Sequence, residues 1–181
     1  MQKIKKEFLS IPNILCYVRI LLIPVFIYLY IHEEEYTLAA IIAAISGFTD
    51  MLDGFIARKF NMITDFGKFI DPVADKLTQM TLILCLLLRY NAMWVLVPIF
   101  FIKETVMAVA GFVTMAYKGK KLNGAKWYGK VSTIVQFISM TALLAFPSMN
   151  PYIVNGLILL CAIFMLLAFI LYMADYRKML K

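Results

Sequence analysis

Apolar residues gather into six runs along this chain, at Ile11–Ile31, Tyr36–Lys59, Asp71–Leu88, Met93–Tyr117, Trp127–Phe146 and Pro151–Asp175, with short polar stretches between them. Each run is near the roughly 17–25 residues that carry an α-helix across a bilayer. The pattern predicts an all-α fold, an integral membrane bundle of six transmembrane helices. Short connections make neighbouring helices antiparallel. No internal repeat or low-complexity stretch breaks the series, so residues 1–181 are expected to form a single membrane domain.

Two runs depart from the pattern. The second is apolar from Tyr36 to Phe48 but continues from Thr49 as TDMLDGFIARKF, and the third opens with DPVADK. Ionisable groups at membrane depth are costly and mark functional sites unless they face water or pair inside the bundle.

Composition agrees with a membrane setting. The chain is 63% hydrophobic and 16% charged, with a mean hydropathy of +0.83; a soluble domain carries about 25% charged residues. Its net charge of +7 comes from 18 Lys and Arg against 11 Asp and Glu. The basic residues alternate between connections. Lys3, Lys5 and Lys6 precede the first run, and Arg58, Lys59 and Lys68 follow the second. Lys118, Lys120, Lys121, Lys126 and Lys130 lie between the fourth and fifth, and Arg177, Lys178 and Lys181 end the chain. The other connections hold Glu33–Glu35, the single basic residue Arg89, and the neutral stretch Pro147–Pro151. The bias of Lys and Arg toward the cytoplasm places both termini there, in a multi-pass protein of the cell membrane. It also accounts for the basic surplus without a nucleic-acid partner. Lys118, Lys120 and Lys121 suit anionic lipid, and Trp94, Trp127, Tyr36 and Tyr128 suit interfacial belts.

Several features are set aside on the same grounds. Cys16, Cys85 and Cys161 lie far apart in apolar runs and are expected to act as small buried hydrophobes rather than ligands or disulfide partners. The one histidine, His32, adjoins three glutamates in a loop, which excludes a zinc site of Cys/His type. The first run is longer than the roughly 7–15 residues of a signal-peptide core, contains Arg19, and is expected to be a retained span.

Only six aspartates occur in the chain, and four fall in the pattern Asp50-x2-Asp53-Gly54-x2-Ala57-Arg58-x8-Gly67-x3-Asp71-x3-Asp75. On helices, Asp50 and Asp53 share a face, as do Asp71 and Asp75. A short link lets the two helices run antiparallel and brings the four carboxylates together at the cytoplasmic end. Two unit charges about 4 Å apart interact by about 4 kcal/mol at an effective dielectric near 20, so four carboxylates in one pocket need a cation. All-oxygen ligands select hard ions, Mg²⁺ or Mn²⁺, and a two-metal site suits in-line displacement at phosphorus. Gly54, Ala57 and Gly67 are small enough for a ligand or helix to approach closely, and Arg58 can pair with a phosphate through its planar fork. Two competing explanations are internal pairing, for example Asp53 with Arg58, and a carboxylate-lined cation path.

Position for position, this pattern resembles the DGxxAR signature of the CDP-alcohol phosphatidyltransferase family. The resemblance implies that Asp50, Asp53, Asp71 and Asp75 are metal ligands, that Asp75 is also the general base, and that Gly54, Ala57, Arg58 and Gly67 line the CDP site. It further implies a phosphatidyl donor, CDP-diacylglycerol, an alcohol acceptor, release of CMP at the cytoplasmic face, and a homodimer. The opening IPNILCYVRILLIP and the segment TDFGKFIDPVADKL look like those of phosphatidylglycerophosphate synthases, which implies glycerol-3-phosphate as acceptor. Cardiolipin synthases of the CDP-alcohol type, whose acceptor is phosphatidylglycerol, share the same context. Candidate partners for an acceptor phosphate are Arg19, Lys76, Lys103, Lys126 and Lys130. Lys103-Glu104 departs from the Arg-Glu typical of such synthases and forfeits the bidentate fork. Asn13 and Thr49 are placed equally well to touch a nucleotide, to cap a helix or to bond between helices.

Overall fold

The computed structural model describes residues 10–60, 62, 64, 66–118 and 126–180. Among these residues the chain is all-helical, without a strand. Six α-helices follow one another: α1 (Ile11–Ile31), α2 (Tyr36–Lys59), α3 (Gly67–Leu87), α4 (Leu96–Lys118), α5 (Trp127–Ala145) and α6 (Pro151–Leu180). A short 3-10 helix, Asn91–Val95, precedes α4. All six apolar runs are therefore helical. Lys3, Lys5, Lys6, Lys120, Lys121 and Lys181 lie outside the described residues, as does the side chain of Lys118.

Local chemistry sets the helix ends. Pro12 enters α1 at its first turn, where its missing N–H costs no hydrogen bond. Asn150 caps α6, its Oδ1 accepting the Tyr152 N–H at 2.9 Å just beyond Pro151. At its other end α6 runs past the expected Asp175 to Leu180, with Arg177 and Lys178 in its last turn, where cations favour the helix dipole. Between α1 and α2 the chain turns through Glu34 at φ 53°, in the left-handed region.

Among the described residues, four helical stretches are long and apolar enough to cross a membrane: Ile11–Ile31, Tyr36–Ala57, Asn91–Thr114 and Pro151–Met179. The other two helices, α3 and α5, carry more polar residues. In α3 these are Lys68, Asp71, Asp75, Lys76 and Gln79, and in α5 they are Lys130, Ser132, Gln136 and Ser139. Large apolar side chains such as Leu21, Phe112, Ile138 and Tyr152 are exposed, as expected of a multi-pass protein whose solvent is lipid.

The chain divides into two compact units. The first comprises Met1–Leu86 with Thr141–Pro147. Here α1 packs along α2, and Ala39, Ala40 and Ala43 are buried small residues of the kind that let helices approach closely in a membrane. Phe26 stacks on Tyr30, which meets Tyr36 edge-on with ring centroids 5.3 Å apart. The second unit comprises Leu87–Met140 with Ser148–Lys181. In it α4 lies along α6. The buried α6 residues Val154, Ile158, Cys161, Met165 and Ala168 recur at helical spacing.

Candidate active site

Three helices of the first unit each turn one polar stripe inward. On α1 the stripe is Asn13, Cys16 and Arg19, three residues apart and all buried. On α2 it ends in Asp50, Asp53 and Ala57, and on α3 it begins with Gly67 and Asp71. Spacings of three and four keep each set on one helical face.

The stripes meet at Arg19. Its guanidinium pairs with Asp50 Oδ1 at 2.5 Å through Nη1 and with Asp53 Oδ2 through Nη2, and Nη1 lies 3.8 Å from Asp71 Oδ1. Arg19 and Asp53 are buried, whereas Asp50 and Asp71 are more than 40% exposed. The cluster thus has a dry floor and an open rim. Asp71 and Asp75 also act electrostatically on Asp50. The Asp75 carboxylate accepts a hydrogen bond from Gln79 Nε2 at 2.8 Å and lies 3.5 Å from Lys76 Nζ.

Cys16 departs from expectation. It is buried like Cys85 and Cys161, but its thiol lies 3.6 Å from both Asp53 Oδ2 and Asp71 Oδ1. Ligand atoms of Cys16, Asp53 and Asp71 all lie within 4.8 Å of one another. The Asn13-x2-Cys16-x2-Arg19 spacing was the available signal, since it puts all three on one face of α1. Gln79 was missed because an amide one turn beyond Asp75 has no motif of its own.

Beside the cluster opens a cleft of about 170 Å³, lined by Asp53, Gly54, Ala57, Gly67 and Asp71 together with Asn13, Cys16 and Thr64. Three of the four residues expected at a nucleotide site therefore share one cavity with two of the aspartates. The fourth, Arg58, is in the last turns of α2, and its side chain lies outside the described residues. The cleft wall is fastened by Thr64 Oγ1, which accepts the Gly67 N–H at 2.9 Å and Asn13 Nδ2–H at 3.1 Å. Thr64 Oγ1 thus satisfies the first N–H of α3, which begins at Gly67, so Asp71 sits a full turn inside the helix rather than opening it. Of the residues left with several readings, Asn13 bonds to Thr64 in the link before α3 and lines the cleft, while Thr49 Oγ1–H bonds back to Ser46 O at 2.7 Å.

The basic residues considered for an acceptor phosphate fall in different places. Arg19 pairs with aspartates, and Lys76 flanks Asp75. The other three belong to the second unit. There Lys103 pairs with Glu104 at 2.9 Å, Lys126 lies 3.9 Å from Asp175, and Lys130 is exposed on α5. Asp175 also accepts a hydrogen bond from Tyr128 at 2.7 Å.

A profile of the CDP-alcohol phosphatidyltransferase family matches residues 9–174. The chain belongs to that family. For this phosphatidyltransferase the match takes in α1 to α5, most of α6 and the whole aspartate cluster. Among curated relatives, the CDP-diacylglycerol–glycerol-3-phosphate 3-phosphatidyltransferase of Shigella flexneri serotype 5b (strain 8401) is 32% identical over 173 residues, 93% of this chain and 95% of the relative. The protein of the same name from Escherichia coli (strain K12) is 34% identical over 143 residues, 77% of this chain and 79% of the relative.

Proposed function

We propose that this phosphatidyltransferase moves the phosphatidyl group of CDP-diacylglycerol onto sn-glycerol-3-phosphate, giving phosphatidylglycerophosphate and CMP. The observation that carries this reading is the cleft in which Gly54, Ala57 and Gly67 open directly beside Asp53 and Asp71. The relatives' printed names supply the acceptor.

The donor set fits a divalent cation. Four aspartates converge on a partly desolvated site, where the described ion pairs are with Arg19 and Lys76, and acids gathered in this way favour a bound cation. Asp50, Asp53, Asp71 and Asp75 would hold Mg²⁺ or Mn²⁺, in a two-metal arrangement. Bound there, the metal supplies Lewis-acid polarisation of phosphoryl oxygen and neutralises charge developing on the diphosphate.

Gly54, Ala57 and Gly67 leave room for the nucleotide against the helix backbones, and Arg58 provides a fork for its phosphate. Asp75 is the general base. Gln79 and Lys76 hold its carboxylate while it remains open to the acceptor, with 28% side-chain exposure. The acceptor oxygen attacks the β-phosphorus, a new P–O bond forms, and the diphosphate P–O bond breaks. The leaving CMP takes the bonding electron pair, and the hydroxyl proton passes to Asp75. Arg19 and Lys76, both in the unit that holds the aspartates, are the cations proposed for the acceptor phosphate.

All six helices span the membrane in this reading. The 21 residues of α3 and 19 of α5 reach about 30 Å at ~1.5 Å per residue, the thickness of the hydrocarbon core. The charged residues of α3 fall in its first half, where Asp71 lines the cleft rather than facing lipid. Both termini and the active site face the cytoplasm, residues 1–181 act as one domain, and the working form is a homodimer.

The test is CMP release by purified protein given CDP-diacylglycerol, Mg²⁺ or Mn²⁺, and one alcohol at a time. Glycerol-3-phosphate is expected to support turnover. Release with phosphatidylglycerol but not glycerol-3-phosphate would replace the acceptor, and no release with any alcohol would overturn the enzyme reading in favour of a cation path.

A further inference from the structure

We propose that Arg19 is the resident counter-cation of the aspartate cluster and that a divalent ion must displace it, so that guanidinium and metal compete for the same carboxylates. This rests on the reading above that the four aspartates hold metal. Arg19 stands in the middle of apolar α1 with 1% of its side chain exposed. A desolvated guanidinium is stable only when paired, and the described ion pairs of Arg19 are with Asp50, Asp53 and Asp71. One positive group therefore ties α1 to both acidic helices.

The oxygens it uses are those a metal needs. Asp53 Oδ2 accepts from Arg19 Nη2 and also faces the Cys16 thiol, and Asp71 Oδ1 lies near both Nη1 and the same thiol. With its lone pairs taken up in this way, Asp53 Oδ2 has little capacity left for an ion. A divalent cation beside the guanidinium would also set like charges a few ångströms apart at low dielectric, which disfavours joint occupancy. Displacement is feasible because the guanidinium is not fully satisfied where it stands. Among the described residues its buried Nε–H has no hydrogen-bond partner, which carries a desolvation cost. In the metal-free protein Arg19 keeps the acids compatible with folding, and on loading it gives way.

The experiment is a Mn²⁺ titration of the detergent-solubilised full chain, following free Mn²⁺ by electron paramagnetic resonance. It compares the unmodified protein with Arg19→Gln, which keeps polar donors without the charge, and Arg19→Lys, which keeps the charge. Arg19→Gln is expected to bind Mn²⁺ at least tenfold more tightly, equivalent to about 1.4 kcal/mol, and Arg19→Lys to bind close to the unmodified level. Equal or weaker Mn²⁺ binding by folded Arg19→Gln would overturn the competition while leaving the metal site in place. No binding by any of the three proteins would overturn the metal reading itself. Should Arg19→Gln fail to fold, a structure of the unmodified chain with Mn²⁺ bound decides the matter: Arg19 withdrawn from Asp50 and Asp53 supports displacement, and Arg19 still paired with metal-bound Asp53 refutes it.

Discussion

At Gly67 a Cβ atom would stand 2.6 Å from Asn13 Oδ1 and 2.8 Å from Thr64 Oγ1, closer than real side chains come. The obstacle is a bonded pair rather than a flexible chain end, since Asn13 and Thr64 hold each other. Gly67→Ala should therefore push α1 away from the start of α3, at a cost of about 1–3 kcal/mol typical of overpacking. A lowered thermal midpoint together with a raised KM for CDP-diacylglycerol is the expected result, and an unchanged midpoint would show that the wall yields freely. Asp75→Asn should abolish CMP release while largely sparing binding of CDP-diacylglycerol; near-normal turnover would remove Asp75 from the role of base. The four aspartates were legible because acids are rare in apolar helices and helical spacing fixes which of them share a face. Cys16 and Arg19 were harder to place. Their partners lie 31 to 55 residues away, and α1 alone gives no sign of which helices will cover its inner face.

The helices themselves were largely legible, since runs of apolar residues this long have few alternatives in lipid. Both ends of α1 and of α2 fall where the hydrophobic pattern puts them. The start of α3 does not: it lies at Gly67, whose N–H bonds to Thr64 Oγ1, an oxygen that also accepts from Asn13 on another helix. The 3-10 helix ahead of α4 was likewise invisible to a count of apolar residues. A similar close approach holds the second unit together, where the Tyr172 hydroxyl would lie 2.2 Å from a Cβ at Gly129. That hydroxyl accepts the Lys126 N–H at 3.3 Å, and the Tyr172 ring meets Tyr128 edge-on at 4.6 Å. Gly129→Ala should displace Tyr172 from the start of α5 and lower thermal stability by about 1–3 kcal/mol. Tyr172→Phe, which removes only the hydroxyl, should cost about 1 kcal/mol. Differential scanning of the two purified variants distinguishes them, and equal losses would mean that the hydroxyl rather than the ring's placement matters.

For the molecule as a whole, charge sorting makes a prediction that helix geometry alone does not. With the Lys- and Arg-rich connections inside, Glu34→Cys should react with a membrane-impermeant maleimide added to intact cells, and a cysteine at Lys181 should react only after lysis. The native background should be low, because Cys16, Cys85 and Cys161 are all buried. Labelling of both sites from outside would place the C-terminus on the wrong side and break the six-span arrangement. The central claim is chemical: a cluster of acids that becomes workable only with divalent cation transfers phosphatidyl to glycerol-3-phosphate. Purified protein supplied with CDP-diacylglycerol, labelled glycerol-3-phosphate and Mg²⁺ or Mn²⁺ should release CMP and labelled phosphatidylglycerophosphate in equal amounts. Both products should vanish with EDTA and return when metal is restored in excess. Equal yields of the two products with all divalent metal removed would contradict the account.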